Sequence, residues 1–276
     1  MTKYTTAPID WYAMLCQTLT NLRTCWPHNW PGLPLVLKSC TTQLWPTSHP
    51  TTPDAVALLN AAMAMAEQIE SIARTSVCEP HYHNRLHTAD ALVACCWLLL
   101  ALKAEGHKVS DDWAACLLLA VTSHDVLHPG GANSFLQEFE QQSAQFFKRM
   151  TTDQEIAAHW VETVSHLILL TDPVLVPANH DKVINKSFVF DLDWAVVLMN
   201  EADILASATA DFGPQLGKAL ASEWKIREHP MHSAVGSDAG RLQFLSSLRF
   251  STPASTALGI HAHVERQLSE LRQQSH

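Results

Sequence analysis

Positive charge is scarce in this sequence of 276 residues. The 18 lysines and arginines are outnumbered by 27 aspartates and glutamates, which gives a formal net charge of −9 at pH 7. An acidic surface repels nucleic acid and anionic lipid, so the composition argues against a general nucleic-acid-binding or membrane-binding protein. A small anionic substrate is compatible with this charge, because a bound metal ion can reverse the field inside a pocket.

Signatures of disulfides, secretion and membrane insertion are also missing. The seven cysteines are odd in number and include no CxxC pair, which argues against a disulfide framework and a cysteine zinc site. The N-terminus lacks the basic-then-apolar order of a signal peptide. The longest apolar run, residues 89–102, is interrupted by Asp90 and is shorter than a membrane span. We therefore expect a cytoplasmic protein with no membrane or nucleic-acid partner, whose oligomeric state the sequence leaves open.

No run of alternating apolar and polar residues is long enough to indicate a β-sheet, and no internal repeat is found. Apolar residues recur instead at helical spacing, as in the segment that begins at Asp54, which we expect to cap that helix. The sequence therefore predicts an all-α fold. Further helices are predicted at residues 80–105, 112–126, 134–150, 154–171, 188–207, 212–228, 238–250 and 256–273.

The N-terminal part differs in composition from the rest of the chain. Residues 1–25 fit one helix, whereas residues 26–53 are rich in proline, tryptophan and threonine and contain three Trp-Pro pairs. Because proline removes a backbone donor and disfavours helix at the preceding residue, we expect this stretch to be an irregular arm. Its tryptophans indicate packing, either on the core or on a partner. We thus expect an N-terminal helix and arm over residues 1–53 and a single all-helical domain over residues 54–276.

Two short segments carry the strongest chemical signal. His83 and His87 are four residues apart, so on a helix they would lie on one face. His124 and Asp125 end a second apolar segment, and His128 follows just before Pro-Gly-Gly. Imidazole nitrogens together with a carboxylate that can bridge two ions suit a divalent metal. If the two segments meet in space, they form a metal site of the kind that hydrolases use.

Asp203 lies inside the apolar run 194–205, on a helix that we expect to be buried. A buried carboxylate is costly unless it is paired or bound to a metal. Taken alone, Asp203 could equally pair with an arginine or lysine, and a single helical histidine is more often a surface or core residue than a ligand. The joint occurrence of HNxxH, HDxxHPGxxN and a downstream buried acid is not expected from packing, and it favours a metal site.

The motifs Tyr82-His83-Asn84-x-x-His87-x-x-Asp90 and His124-Asp125-x-x-His128-Pro129-Gly130-x-x-Asn133-x-Phe135-Leu136 carry a family resemblance. They closely resemble the catalytic domain of class I cyclic nucleotide phosphodiesterases, an all-helical branch of the HD-domain superfamily. The likeness is specific in these two motifs and weaker elsewhere. It implies a compact multi-helix bundle around a central metal site. It also implies hydrolysis of a 3′,5′-cyclic nucleotide, cAMP or cGMP, to the 5′-monophosphate.

Carried over by position, the resemblance implies a site for two divalent ions. The tighter ion, usually zinc, would be bound by His87, His124, Asp125 and Asp203. Asp125 would bridge to a second ion, usually magnesium or manganese, that is held mostly by water. Two cations of this kind neutralise a phosphodiester and lower the pKa of a shared water, which then attacks phosphorus as hydroxide.

The remaining roles fall to residues around the ligands. His83 would be the general acid that protonates the departing sugar oxygen, since an unligated imidazole can donate a proton near neutral pH. His128 and Thr171 would orient waters of the second ion. Glu140 is a looser match to a glutamate that lies behind the ligands. Tyr82 is a candidate substrate contact.

The positions that would read the substrate depart from the family's pattern. The family uses an asparagine three residues after the second metal aspartate, and a glutamine three residues before a stacking phenylalanine. Here those two positions hold Ala206 and Arg241, and the stacking residue would be Phe244, which could equally be an ordinary core residue. Arginine only donates hydrogen bonds, whereas an amide donates and accepts. Arg241 could instead contact a guanine oxygen, an extra phosphate or a carboxylate.

Three alternatives to a cyclic nucleotide phosphodiesterase stay open. The first is a related hydrolase that acts on a different phosphoester. The second is a di-iron oxygenase of the HD superfamily, although such enzymes tend to need more histidine ligands on the second ion. The third is a non-catalytic binding protein on the same scaffold, against which the retention of His83 argues.

Overall fold

The structure is a computed structural model that describes residues 10–274, and within that range it contains fourteen α-helices and no β-strand. The all-α prediction is confirmed. The helices are α1 (Trp11–Cys25), α2 (Leu33–Leu44), α3 (Pro53–Thr75), α4 (Arg85–Ala104), α5 (Asp111–Ser123), α6 (Glu138–Met150), α7 (Ala158–Leu169), α8 (Val176–Val183), α9 (Leu192–Ala208), α10 (Gly213–Ile226), α11 (His232–Val235), α12 (Asp238–Ser247), α13 (Pro253–Ala257) and α14 (Ile260–Gln274).

Helix α4 lies at the centre of the molecule. It packs against α1, α2, α5 and α9, and α3 packs along α5. Fifteen of its residues are buried, because its sequence is apolar on every face rather than on one stripe. By length and composition α4 could also span a membrane, but a buried core helix of a globular fold passes the same test. The buried centre fixes the ends of α4, α5 and α9 relative to one another.

Local capping signals set where the core helices begin. The side chain of Asn84 accepts hydrogen bonds from the backbone amides of Leu86 and His87 at the start of α4. Asp191 accepts from the Trp194 amide in the same way at the start of α9. Such caps satisfy amide donors that have no partner in the first turn. The helix that we predicted from residue 80 therefore begins only at Arg85.

The predicted arm is only partly irregular. Residues 26–53 contain α2, Leu33–Leu44, which the prediction of an irregular stretch missed. Pro34 lies in the first turn of α2, where its missing N–H would have had no partner, so proline begins this helix instead of breaking it. Leu33 and Leu37 are fully buried in the main core, so the described part of the arm packs on the chain's own surface. The part of the 1–53 segment before residue 10 lies outside the described residues.

Two further predictions about helix starts need correction. No helix was predicted between residues 171 and 188, but α8 lies there, with Pro177 in its first turn. The cap of α3 is Thr52, whose hydroxyl accepts from the Ala55 amide, and Asp54 lies in the first turn instead. An acidic residue there is still favourable, since it faces the positive end of the helix dipole.

A buried ion pair ties the N-terminal helix to the centre of the fold. The guanidinium of Arg23 on α1 donates to both carboxylate oxygens of Asp90 on α4, at 2.7 and 2.6 Å. Burial raises the pKa of the Asp90 carboxyl, and Arg23 opposes that rise. Asp90, the last residue of the first motif, thus has its charge compensated by α1 and holds one face of α4 in place.

Candidate functional site

Four side chains converge where the ends of α4 and α5 meet the middle of α9. The Nε2 atom of His87 lies 3.1 Å from an oxygen of Asp125 and 3.0 Å from an oxygen of Asp203. The Nε2 atom of His124 lies 3.3 Å from each of the same two oxygens. These are the four residues that the sequence predicts as ligands of the tighter ion, and the structure brings all four together.

The helix ends explain this convergence. His87 lies in the first turn of α4, and His124 is the residue that ends α5, with Asp125 directly after it. Asp203 projects from the interior of α9, a helix that packs against both α4 and α5. Three packed helices therefore hold four ligand side chains together, although His87 and Asp203 are 116 positions apart in the sequence.

The donor atoms fit a divalent metal. A tetrahedral ion with ligands at about 2.0–2.1 Å places its ligand atoms roughly 3.3–3.4 Å apart, close to the separations found here. The Nδ1 atom of His124 is 2.7 Å from the Val121 carbonyl oxygen, so Nδ1 carries a proton and Nε2 is the nitrogen that faces the cluster. That Nε2 atom is buried and has no hydrogen-bond partner within residues 10–274. A metal ion at this place would bind Nε2 where the two carboxylates otherwise draw a proton onto it.

The charges of the cluster also favour a cation. Burial lowers the pKa of His124, but the charges of Asp125 and Asp203 outweigh burial and raise it to about 9. Burial likewise raises the pKa of the Asp203 carboxyl, but His124 and His87 hold that pKa well below its ordinary value. A place where two carboxylates draw protons onto buried imidazoles is also a place that attracts a divalent ion.

His83 lies beside this cluster but not on a helix. It precedes the Asn84 cap of α4, so the prediction that His83 and His87 share one helical face is wrong. The rings of His83 and His87 are nevertheless only 5.8 Å apart between centroids, in an edge-on arrangement. The bend at residues 81–84 brings the two imidazoles together, and His83 is close to the ligands without being one of the four.

Glu223 on α10 fixes His83, and the sequence prediction missed it. One carboxylate oxygen of Glu223 is 2.5 Å from Nδ1 of His83, and the other accepts the backbone amides of Tyr82 and His83 at 2.9 and 3.0 Å. Burial raises the pKa of the Glu223 carboxyl, but the bond to His83 outweighs it and the pKa is lowered. The carboxylate therefore orients the imidazole and leaves Nε2 of His83 to face the site.

Gly130 makes room for this glutamate. Its φ is +75°, and a Cβ atom at this position would lie 2.9 Å from Cγ of Glu223. A side chain is thus disfavoured by the backbone conformation and by contact. The Pro-Gly-Gly that follows His128 in the second motif has a structural reason in the packing of α10 against this loop.

His128 is stacked on His83, with ring centroids 3.7 Å apart. Its Nδ1 atom accepts the Gly130 amide at 3.1 Å. Burial, and then the neighbouring His83, lower the pKa of His128 to about 4, so the ring is neutral near pH 7 and its proton is on Nε2. The structure brings His128 to the site, in a form that can donate one hydrogen bond.

Glu140 and Thr171, the other two residues expected near the metal site, make no direct hydrogen bond to the four clustered side chains within residues 10–274. Glu140 is buried and accepts a hydrogen bond from Asn133 at 2.8 Å, and burial raises the pKa of its carboxyl. The hydroxyl of Thr171 donates to the Ile168 carbonyl of its own helix end at 2.8 Å. Within residues 10–274, no hydrogen bond joins Thr171 to the four clustered side chains.

Of the predicted substrate contacts, Tyr82 lies at the site and Arg241 does not. The ring of Tyr82 is 4.8 Å from that of His87, and its hydroxyl bonds to the Ser207 hydroxyl at 2.9 Å. The guanidinium of Arg241 is bonded to the backbone carbonyls of Ser207 and Thr209 at the end of α9. These bonds engage the guanidinium inside the protein, and within residues 10–274 no hydrogen bond joins Arg241 to the four clustered side chains, so its role in substrate binding stays a prediction.

Arg241 and Phe244 instead belong to the packing of α12. The Arg241 guanidinium also donates to the Gln267 side chain at 2.6 Å, and it covers one face of the Phe244 ring at 5.7 Å. Phe244 is partly buried against the main core, which agrees with the reading of it as a core residue. Ala206 is buried at 3% exposure and offers no hydrogen-bonding side chain.

A cavity of about 480 Å³ opens beside the cluster and is lined by His83, Asp125 and His128, among others. Its walls are the last turns of α3, residues 76–81, the loop 126–130 and the end of α10. We call this space the α3 cavity. None of its lining residues comes from α12.

Comparison with known proteins agrees with the site. Residues 82–166 match the family model of 3′5′-cyclic nucleotide phosphodiesterases, a segment that contains both histidine motifs. No curated protein matches the chain. The matched segment is therefore similar to the catalytic domain of class I cyclic nucleotide phosphodiesterases, which is consistent with an all-helical phosphoric diester hydrolase that uses divalent metal.

Proposed function

We propose that the protein hydrolyses a 3′,5′-cyclic nucleotide, cAMP or cGMP, to the 5′-monophosphate. One observation supports this most strongly: a cluster of four ligand atoms lies beside an imidazole, His83, that is not part of it and is held by Glu223. Phosphodiester hydrolysis needs these two parts together, a cation site for the anion and a proton donor for the leaving oxygen.

The cluster would hold the metal ions through His87, His124, Asp125 and Asp203. We propose zinc in the tighter position and magnesium or manganese in a second position that shares Asp125. Bound divalent ions would neutralise the diester and make water a sufficient nucleophile at neutral pH. Nitrogen and carboxylate donors of this mixture suit zinc, whereas a site with few protein donors suits a more hydrated ion.

His83 would supply the proton. As the oxygen of water bonds to phosphorus, the bond from phosphorus to O3′ breaks and that oxygen needs a proton. Nε2 of His83 is free for this step because Nδ1 is bonded to Glu223 at 2.5 Å. The stacked, neutral ring of His128 would donate a hydrogen bond to the diester or its water, and it fills one side of the space beside His83.

One observation favours a second candidate, the HD-type di-iron oxygenase. His83, His128 and Glu223 offer ligand atoms within 4.8 Å of one another, next to the first cluster, as a second iron would need. Both imidazoles already use one nitrogen in a hydrogen bond, since Nδ1 of His83 bonds to Glu223 and Nδ1 of His128 accepts the Gly130 amide. Both rings keep Nε2 available, but the Glu223 carboxylate is already bonded to His83 and to the amides of Tyr82 and His83. The phosphodiesterase interpretation accounts for this use of Glu223, whereas the oxygenase interpretation needs the same carboxylate as a ligand.

The test is turnover by metal-reconstituted protein and by its His83→Gln variant. The substrates are cAMP, cGMP and bis(p-nitrophenyl) phosphate, whose leaving group is an acidic phenol that needs little protonation. We expect wild-type protein to cleave a cyclic nucleotide and the variant to lose about 10²–10⁴-fold in kcat for it, with a smaller loss for the aryl diester. Metal content should be unchanged in the variant.

Other outcomes identify the alternatives. Cleavage of the aryl diester alone would assign the site to a different phosphoester. Iron in the purified protein together with oxygen consumption, and no hydrolysis of any diester, would support the oxygenase. Absence of every turnover from fully metallated protein would leave a binding role.

A further inference from the structure

We propose that the nucleobase of the substrate lies in the α3 cavity, where apolar contact holds it with little selection between adenine and guanine. This inference rests on the proposed function, because it takes a cyclic nucleotide as the substrate. It places the base against the end of α3 rather than against α12, which carries two of the three positions that read the base in the family, Arg241 and Phe244.

The position of the cavity is the first argument. The α3 cavity is bordered directly by His83 and His128 and by Asp125 of the ligand cluster. A diester that contacts the cluster and places its leaving oxygen at His83 therefore has this space next to it. A volume of about 480 Å³ lies within the range of small-molecule sites, roughly 300–1,000 Å³.

The wall chemistry is the second argument. Ile69, Ile72 and Ala73 are spaced i, i+3, i+4 on α3, so one face of its last turns lines the cavity. Val126 and Ile226 contribute further apolar surface from the loop after α5 and from the end of α10. Ile226 is 67% exposed, which leaves an apolar side chain at the cavity without a protein partner to cover it fully. Flat apolar walls of this kind suit the face of a purine ring.

The polar side chains around the cavity are largely engaged with the protein. Glu79 forms a salt bridge with Arg85, and the amide nitrogen of Asn84 donates to the Pro80 carbonyl at 3.0 Å. Arg227 donates from Nε to the Gly130 carbonyl at 3.0 Å. A site that binds by apolar contact rejects a close analogue by about 10²-fold at most, whereas a site with dedicated hydrogen bonds can reach 10⁴-fold or more. We therefore expect weak discrimination between the bases.

The packing of α12 is the third argument. Arg241 is bonded to α9 and to Gln267, and it lies over the Phe244 ring. Reading a purine edge with the Arg241 side chain would require those bonds to be replaced. The α3 cavity receives the base without such a rearrangement.

The test compares two tryptophan substitutions on α3. Ala73→Trp places an indole in the cavity, and the matched control Ser71→Trp places the same ring on an exposed part of the same helix. Three substrates are used with metal-reconstituted enzyme: cAMP, cGMP and the 3′,5′-cyclic phosphate of 1-O-methylribose, which has the diester but no base. For wild-type enzyme, we expect kcat/KM for the two nucleotides to differ by less than about 10²-fold.

For Ala73→Trp, we expect KM for both nucleotides to rise about tenfold or more, by overpacking of the base site. Its kinetics on the substrate without a base should remain close to those of Ser71→Trp. A second readout does not depend on turnover. Cys78 is exposed and lines the cavity, so 5′-AMP at saturating concentration should slow its alkylation by iodoacetamide, as followed by mass spectrometry.

The failures are distinguishable. If wild-type enzyme hydrolyses the substrate without a base and both nucleotides, but Ala73→Trp behaves like Ser71→Trp and Cys78 is not protected, the base lies elsewhere and the inference is overturned alone. A Phe244→Ala variant that raises KM for nucleotides under those conditions would place the base on α12. If no cyclic phosphate is hydrolysed by wild-type enzyme, the proposed function fails and the inference fails with it.

Discussion

The carboxylate of Glu223 and the imidazole of His83 form a 2.5 Å hydrogen bond across a separation of 140 positions in the chain. The same carboxylate accepts the two backbone amides of Tyr82 and His83, so it fixes the ring and also the turn that carries it. A carboxylate in this position orients the imidazole and keeps its second nitrogen directed at the site.

Replacing Glu223 with glutamine should therefore impair the proton donor more than the metal site. The amide keeps the shape of the side chain and can still accept backbone amides, but it lacks the negative charge. We expect Glu223→Gln to lower kcat for a cyclic nucleotide about 10- to 100-fold, with metal content unchanged. The loss should shrink for bis(p-nitrophenyl) phosphate, whose leaving group needs less protonation. An equal loss on both substrates would show that Glu223 has only a structural role.

The exposed Glu265→Gln on α14 is the control for removal of one carboxylate. A double variant, His83→Gln with Glu223→Gln, should be little slower than His83→Gln alone, because the two residues act as one unit. Fully additive losses would contradict that coupling.

Replacing Asp203 tests the ligand cluster itself. Asp203→Asn removes one of the two carboxylates whose oxygens lie 3.0–3.3 Å from His87 and His124. We expect the variant to bind zinc more than about 100-fold more weakly than wild type, measured by competition with a chromogenic chelator. Asp193→Asn on the same helix is the control, since Asp193 pairs with Lys186 at the surface. Unchanged zinc affinity in Asp203→Asn would remove Asp203 from the ligand set.

The four expected ligands could be named because the family resemblance implies these positions and the local pattern agrees with it. His124 and Asp125 are adjacent in sequence, and the apolar segment before them and the Pro-Gly-Gly after them identify the helix end on which they lie. His87 and Asp203 lie on helices that the apolar pattern shows to be buried. A polar group in such a place needs a partner, which limits the arrangements that a folded chain can adopt.

The partners from distant helices could not be predicted in the same way. Glu223 is one of 27 acidic residues in the chain, and nothing in its local sequence links it to His83. The bonds of Arg241 depend on how α12 packs against the end of α9. The helical start at Leu33 was hidden by Pro34, since proline favours the first turn of a helix as strongly as it disfavours the interior.

Restoring the family's glutamine at position 241 should not restore base recognition. Arg241→Gln removes hydrogen bonds to the Ser207 and Thr209 carbonyls and to Gln267. We expect a loss of about 2–4 kcal/mol in the free energy of unfolding, measured with urea, because buried acceptors lose a charged donor. The cAMP-to-cGMP ratio of kcat/KM should stay within a few-fold of wild type.

The control for this substitution is Arg249→Gln. Arg249 pairs with Asp181 at the surface, where the two side chains are 43% and 60% exposed. Its replacement should cost less than about 1 kcal/mol. A comparable loss at both positions would contradict the structural role assigned to Arg241.

A buried histidine away from the metal cluster should make stability depend on pH. His180 on α8 is buried, and its Nδ1 bonds to the Ser251 hydroxyl at 2.7 Å. Burial, and then the nearby Arg249, lower the pKa of His180 to about 4. The unfolded chain takes up a proton near pH 6.5 and the folded chain does not, so this contribution to stability is lost as pH falls from about 6.5 to 4. Between pH 7 and pH 5 the loss should be about 2 kcal/mol.

Urea unfolding at pH 7 and pH 5 gives the change in the free energy of unfolding, which is compared between wild type and the His180→Gln variant. His180→Gln should show a smaller decrease in stability from pH 7 to pH 5 than wild type does. The same substitution at the exposed His159 controls for loss of an imidazole. If His180→Gln and His159→Gln lose stability equally on acidification, the conclusion that His180 is buried in its neutral form is contradicted.

Gly130 and Gly131 provide a matched pair that tests the contact between the loop after α5 and α10. A Cβ atom at Gly130 would lie 2.9 Å from Cγ of Glu223 and 3.2 Å from Pro80, and the backbone there has a φ of +75°. A Cβ atom at Gly131 would meet nothing closer than 3.8 Å. We expect Gly130→Ala to cost about 2–3 kcal/mol in the free energy of unfolding, from backbone strain and overpacking.

Gly130→Ala should also lower kcat for a cyclic nucleotide, because Glu223 must move away from His83. Gly131→Ala should change neither quantity appreciably, and equal effects at both positions would contradict the close packing of Glu223 on this loop.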